Sequence, residues 1–487
     1  MAKLVELNYK VVAMVIGLLL IIEGFAMFLG LPFQWYYHGF ELEALTISGI
    51  ITIVVGAILF LVTRKTRNKN IGKREGYLIV TLSWVVASVF GSLPFMISGW
   101  IPNFTDAFFE TISGFTTTGA SILNDIESLP KGLLFWRSMT HWIGGMGIIV
   151  LTVAIFPVLG IGGMQLFAAE MPGPTPDKLH PRITETAKRL WYIYILLTAL
   201  EVIFLMIGGM DFFESICHSF ATVATGGFST RNSSVAEFSP YIQYVIVVFM
   251  FLAGTNFSLH YFALTGQLKK VFKNEEYKAY FYTFIVISVI ITIAVVFANN
   301  EHVEKAFRDA IFTVISILTT TGFVTANYLD WPGIAWMLIV VLMFIGGSAG
   351  STGGGIKVIR QLLLFKNSRL ELKRHLHPQA VIPVKYNGKS VPREVIFKIM
   401  AFFLFYIIIF AFGTIIMSFL GLDFETSIGS TAATLGNIGP GIGNVGPVDN
   451  FSTIPTIGKW VLSFFMLLGR LELFTVLLIL TPAFWRK

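Results

Sequence analysis

Four short segments of this chain combine threonine with glycine: Thr116-Thr117-Thr118-Gly119, Ala224-Thr225-Gly226-Gly227, Thr319-Thr320-Thr321-Gly322 and Ala433-Thr434-Leu435-Gly436. Each carries Thr two positions before its last Gly (Thr117, Thr225, Thr320 and Thr434) and an acid thirteen positions before it (Asp106, Glu214, Asp309 and Asp423). Backbone carbonyls and Thr hydroxyls are neutral, hard oxygen ligands that can replace the hydration shell of an alkali cation. Aiming successive carbonyls at one axis demands unusual backbone angles, which Gly adopts cheaply, and Gly leaves no side chain in a tube one ion wide. A single Thr/Gly pair in a membrane helix usually serves close packing. Four copies at one spacing point to an ion pathway with a fourfold lining, because broken backbone at membrane depth is tolerated only beside a wet cavity.

The elements that must hold these segments lie in lipid. Of 487 residues, 55% are hydrophobic and 13% charged, and the mean hydropathy is +0.75. Soluble domains carry about 25% charged residues. The net charge of +7 does not indicate nucleic acid, because Lys and Arg gather in a few loops between apolar runs. The single cysteine, Cys217, excludes an intrachain disulfide and a Cys-rich metal site. The first apolar run, Val11 to Leu29, reads as a retained helix and not a cleaved signal.

Apolar runs predict ten spans, at about 11–30, 44–63, 77–98, 133–158, 190–209, 240–265, 279–298, 333–363, 396–420 and 457–481. Four shorter segments, about 105–117, 213–225, 307–320 and 423–434, read as re-entrant half-helices. A helix of about 12 residues rises about 18 Å, well short of the hydrocarbon core. Basic residues cluster at Lys3 and Lys10, at 64–74, 178–189 and 269–278, in the 364–398 loop, and at Arg486 and Lys487. Ten spans put all of these on one side, which the positive-inside rule makes the cytoplasm, with both termini there. The organisation is then a two-span prefix (1–75) followed by four parallel repeats of span, half-helix, filter segment and span, at 76–165, 185–270, 275–370 and 390–487. The expected fold is an all-α polytopic membrane bundle: four pseudo-symmetric M1–P–M2 repeats around a central pore, plus two N-terminal helices.

In this arrangement the half-helices begin at Asp106, Glu214, Asp309 and Asp423, where a carboxylate caps free N–H groups. Their negative C-terminal dipole ends converge on the filter and favour a cation, and the four acids bias the outer mouth the same way. In the third repeat Gly346, Gly347, Gly350, Gly353, Gly354 and Gly355 interrupt a span. Each Gly costs a helix about 1 kcal/mol against Ala, so an intramembrane loop over 346–356 is expected below the filter, acting as a gate. The stretch lacks phosphate-loop spacing. Arg470 lies in mid-span, which calls for a cavity or a partner. It is expected to raise the barrier under the filter, with Lys357 as a second such charge or as a snorkelling one. Glu472 is on a different helix face from Arg470. Glu23 and Glu201 also fall in spans, as coupling sites for H⁺ or Na⁺ or as buried hydrogen-bonded acids. No metal-ligand spacing, nucleophile–base pair or cofactor motif stands out, so catalytic residues: none, and the chain does not read as an enzyme.

The segments TTTGAS (116–121), ATGGFST (224–230), TTTGF (319–323), TLGNIGPG (434–441), GGSAGSTGGGIK (346–357) and GRLELF (469–474) resemble the Trk/Ktr/HKT superfamily of potassium transporters, in particular its TrkH type, which carries the two-span prefix. The resemblance covers nearly the whole chain. It implies K⁺ as the permeant ion with no organic cofactor on this chain, uptake across the bacterial inner membrane, a homodimer of pore subunits, and a cytoplasmic TrkA-type nucleotide-binding ring. In that superfamily Gly at all four filter positions goes with K⁺ preference and Ser in the first repeat with Na⁺, and Gly119 fits the former. An H⁺- or Na⁺-coupled secondary K⁺ transporter is the alternative, since broken helices and mid-membrane acids occur there too.

Overall fold

The computed structural model describes residues 7–37, 42–64, 72–147 and 183–486. Lys3, several bases of the 64–74 and 178–189 clusters, Lys487 and the 148–158 end of the fourth expected span lie outside the described residues. The fold is an all-α polytopic membrane protein. Its only described β-structure is a two-stranded hairpin, Lys385–Tyr386 with Lys389–Ser390, turned by Asn387 and Gly388 at positive φ.

Each repeat opens with a long helix, M1: Lys73–Gly91, Ile183–Ile207, Glu275–Asn299 and Arg393–Phe419. The last two are apolar on every face and leave Phe281, Ile293, Phe297, Phe405, Phe412 and Phe419 exposed, as lipid-facing helices do. A half-helix, P, follows in each: Phe104–Phe115, Phe212–Val223, Val303–Leu318 and Phe424–Leu435. These are the buried elements. Thr111, Ser113, Ser219, Thr222, Ser316 and Thr431 are all buried within them. Three of the four have a capped first turn: Asn103 accepts from Thr105 N at 2.8 Å, Asp211 from Glu214 N at 3.0 Å and Asp423 from Thr426 N at 3.2 Å.

The second helix of each repeat, M2, is not the continuous span that the apolar runs predict. The described M2 helices are Lys131–Gly145, Pro240–Ala253, Gly333–Leu342 and Thr456–Arg470. After the second comes a bend of 101° into Phe257–Leu264, after the third the Gly-rich loop, and after the fourth a break at Leu471 to Leu473 before Phe474–Leu480. Hydropathy counts apolar residues and is blind to the glycines Gly144, Gly254, Gly346 and Gly469 that stand at these ends. Their backbone lies against other backbone: a Cβ on Gly144 would strike the Phe115 carbonyl, and one on Gly469 the Leu435 carbonyl. Both carbonyls belong to the last residue of a P helix.

The prefix helix Tyr9–Phe28 runs along Leu42–Thr63 with backbones in close approach. A Cβ on Gly17 would sit 2.7 Å from the Gly56 carbonyl oxygen, and one on Gly56 2.6 Å from that of Gly17. Gly17→Ile is therefore expected to destabilise the protein by about 1–3 kcal/mol, read as a lower thermal unfolding midpoint in detergent. An unchanged midpoint would contradict this packing.

Candidate ion pathway

All four P helices end in the same backbone turn. The cap residues Thr116, Ala224, Thr319 and Gly436 are right-handed or nearly so. The next residue is left-handed: Thr117 at φ 51°, Thr225 at 56°, Thr320 at 60° and Asn437 at 53°. Two positions on, Gly119, Gly227, Gly322 and Gly439 have φ between 79° and 98°. The fourth segment is thus Gly436-Asn437-Ile438-Gly439, three residues later than the spacing rule puts it. Ala433, Thr434 and Leu435 belong to the P helix, and Gly436 is its cap. Of the four acids expected to cap the half-helices, only Asp423 does so; the caps of the first two are Asn103 and Asp211. Asp106 and Glu214 are in the first turn of their helices, and Asp423 is itself the N-cap. Asp309 is buried in the second turn of a helix that starts earlier, at Val303.

The four segments close into a ring. A Cβ on Gly119 would strike the carbonyl oxygen of Gly226, one on Gly227 that of Thr321, one on Gly322 that of Ile438, and one on Gly439 would come within 2.8 Å of that of Thr118. Each repeat touches the next and the fourth touches the first. Only a residue without Cβ permits this approach, and only Gly takes these φ values without strain. The Thr side chains brace the ring from behind. Thr116 Oγ1 and Thr118 Oγ1 are 2.8 Å apart, Thr319 and Thr321 2.7 Å, and Thr116 donates to Ile112 O at 2.6 Å. Asn437 Nδ2 donates to Thr118 Oγ1 at 3.0 Å and to Met466 O at 2.8 Å, tying repeat four to repeat one.

A buried ion pair supports the first two segments. Arg137 Nε donates to Glu110 Oε1 at 2.7 Å and Nη1 to Ser229 O at 2.9 Å, and the guanidinium lies 3.5 Å from the Phe228 ring centre. Glu110 also accepts from Ser121 Oγ and Ile122 N, both at 2.9 Å. At the end where the P helices begin, the acids are largely compensated. Lys459 Nζ is 2.7 Å from Asp106 Oδ1, and Arg231 binds Glu214 with two bonds of 2.8 and 2.9 Å. Asp423 is held below the usual carboxylate range by hydrogen bonds from Thr426. The four acids are therefore not equivalent sources of negative potential, because two face a cation within hydrogen-bond distance.

On the other side of the ring, the Gly-rich loop is fastened directly to the second, third and fourth repeats. Gly354 N donates to Thr320 Oγ1 at 2.7 Å, and Thr352 Oγ1 to Val223 O at 2.9 Å. Ser348 N donates to Gly254 O at 2.9 Å. A Cβ on Gly353 would lie 2.7 Å from Thr319 O and one on Gly354 2.8 Å from Gly436 O. Gly346 N bonds Ile356 O at 2.9 Å, closing the loop on itself, with Gly350 and Gly355 at positive φ. A Cβ on Gly347 would come within 3.0 Å of Gly254 O. Lys357 is buried and donates to Gly353 O, so it neither snorkels nor stands free. Arg470 joins loop to ring. Nη1 donates to Thr352 O at 2.7 Å and Thr117 Oγ1 at 3.1 Å, and Nη2 to Gly144 O at 2.6 Å. These three acceptors are two carbonyls and a hydroxyl, and Glu472 pairs with Arg360 across the break.

The family described as "TrkH: Cation transport protein" matches residues 41–487. The Trk system potassium uptake protein TrkH of Escherichia coli is 43% identical over 99% of this chain and its own whole length. The TrkH of Halomonas elongata is 40% identical at the same coverage. The chain belongs to the TrkH family. The crystal structure of the potassium transporter TrkH from Vibrio parahaemolyticus superposes with a TM-score of 0.88 at 38% identity, covering 99% of this chain and all of that one. Members of the TrkH family are transport proteins, and this chain is accordingly a membrane transport protein and not an enzyme.

Sequence reasoning missed Glu110, Arg137, Asn437, Gly439 and Thr352 in this TrkH-family chain. Two of them were visible as a carboxylate and a guanidinium, each inside an apolar stretch, which need each other. Asn437 and Gly439 were visible as the two residue types most tolerant of positive φ at a spacing of two. Glu110→Gln is expected to destabilise the protein by about 3–5 kcal/mol by leaving Arg137 buried without its carboxylate, and adding Arg137→Met should recover much of that. Thermal unfolding of the two variants checks this. An undiminished midpoint for the single variant would contradict it.

Proposed function

We propose that this chain is the pore-forming subunit of a potassium uptake system of the bacterial inner membrane, conducting K⁺ through a channel-like path on the axis of the four-segment ring. The observation that carries the reading is the closed succession of left-handed turns, each glycine seated on the next repeat's carbonyl. Carbonyl oxygens of Thr118, Gly226, Thr321 and Ile438 then replace water around the ion, with the negative ends of four P helices beneath them. Potassium uptake is supported by the names of relatives that match over their full length.

The Gly-rich loop and Arg470 form the gate in this reading. The loop closes the path under the ring, and the guanidinium both latches it and places a positive charge next to Thr117. The basic loops support an orientation with both termini in the cytoplasm, where the basic helix Val358–Leu376 offers a face to a TrkA-type regulatory ring, and the subunit works as a homodimer. The drive is the membrane potential, which is worth about 2.3 kcal/mol per charge per 100 mV.

Gly119→Ser is expected to lower the K⁺/Na⁺ flux ratio in liposomes, because a Cβ there displaces the Gly226 carbonyl. An unchanged ratio would remove Gly119 from the ion path. Arg470→Ala should raise K⁺ flux at equal protein content, and unchanged flux would remove the latch. Unitary current steps in bilayer recordings are expected of a channel. Flux that strictly follows an imposed H⁺ or Na⁺ gradient without such steps would favour the coupled transporter.

A further inference from the structure

A cavity of about 130 Å³ lies between the first prefix helix, the first repeat and the M1 helix of the second. Its walls are apolar except at two points. The Glu23 carboxyl is 95% buried, and neither oxygen has a hydrogen-bond partner among the described residues. The Trp191 Nε1–H is buried and likewise without an acceptor among them. Trp142 and Trp191 meet edge to face, with ring centres 5.3 Å apart, and form an aromatic corner of the same cavity. Leu29, at its edge, is 55% exposed, and Ile22, Ala26 and Trp191 are partly exposed, so the cavity is reached from the lipid-facing surface. Phe115, the last residue of the first P helix, is also in its wall.

An unpaired carboxylate in such a site is strongly disfavoured, so the acid calls for a proton or for a partner cation. Aromatic faces beside a carboxylate are the chemistry of organic ammonium recognition, and an apolar cavity of similar size admits a molecule as large as benzene. We propose that this cavity is a membrane-accessible site for a small lipophilic amine: Glu23 serves as its counter-ion, Trp142 and Trp191 hold its alkyl body, and Phe115 brings it against the first filter segment. The proposal does not depend on the conduction reading, because it concerns binding.

The test uses the full chain in nanodiscs and n-butylammonium as the probe, with n-butanol as the neutral analogue, measured by saturation-transfer NMR. Saturable butylammonium binding is expected, stronger than that of butanol. Glu23→Gln removes no hydrogen bond of the described fold and should weaken amine binding about tenfold, the scale of one charge-assisted contact, with little effect on butanol. Ala26→Phe, which fills the cavity, should abolish both. Equal binding of amine and alcohol, an amine affinity unmoved by Glu23→Gln, or no saturable binding to the native chain would each overturn the proposal.

Discussion

The structure depends on one backbone constraint: four helix ends turn left-handed at the same step, so that each glycine can sit on its neighbour's carbonyl. Three of these turns are made by threonine, a β-branched residue for which positive φ costs on the order of 1–2 kcal/mol. That strain persists because the surroundings over-determine it. Hydroxyl pairs brace the segments, Asn437 spans repeats four and one, and interlocking loops hold the rim, with Val235 N on Val324 O, Tyr328 on Gly441 O and Phe451 N on Ser121 O. Remove the glycines and neighbouring segments move apart; remove the braces and the threonines relax.

From that constraint the rest of the pathway follows. Because the P helices are short and buried, their polar side chains must be satisfied within the bundle, and the Glu110–Arg137 pair does this while linking two repeats. The first and fourth M2 helices approach a P-helix end through Gly144 and Gly469, and each ends within one residue of that glycine. The break in the third repeat is lengthened into a loop that borrows its hydrogen bonds from the ring above it. Arg470 stands where the fourth M2 breaks and spends its donors on loop, ring and first-repeat carbonyls at once. A movement of the loop therefore has to break bonds with Thr320, Val223 and Arg470 together.

Much of this was legible in the chain. Apolar length placed the M1 helices within a few residues, and the short P helices stood out by being too short to span. The first three of the left-handed segments were found through Thr and Gly. The fourth was misplaced because Thr434 and Gly436 mimic the spacing, while the true pair is Asn437 and Gly439. Composition rules look for threonine, whereas the backbone asks only for tolerance of positive φ, which asparagine also supplies. Continuous M2 spans were expected because hydropathy averages over glycine. The compensation of Asp106 by Lys459 was not legible, since partners more than three hundred residues apart meet only in the folded ring; that of Glu214 by Arg231, 17 positions on, depends on how the chain turns back after the second P helix.

The central claim is that the four carbonyls of Thr118, Gly226, Thr321 and Ile438 surround a dehydrated cation. Crystals grown in Tl⁺ or Rb⁺ in place of K⁺ test it by anomalous scattering. The account predicts a peak on the ring axis at the level of these four oxygens. An axis without a peak, with the cation bound only elsewhere in the protein, would contradict it.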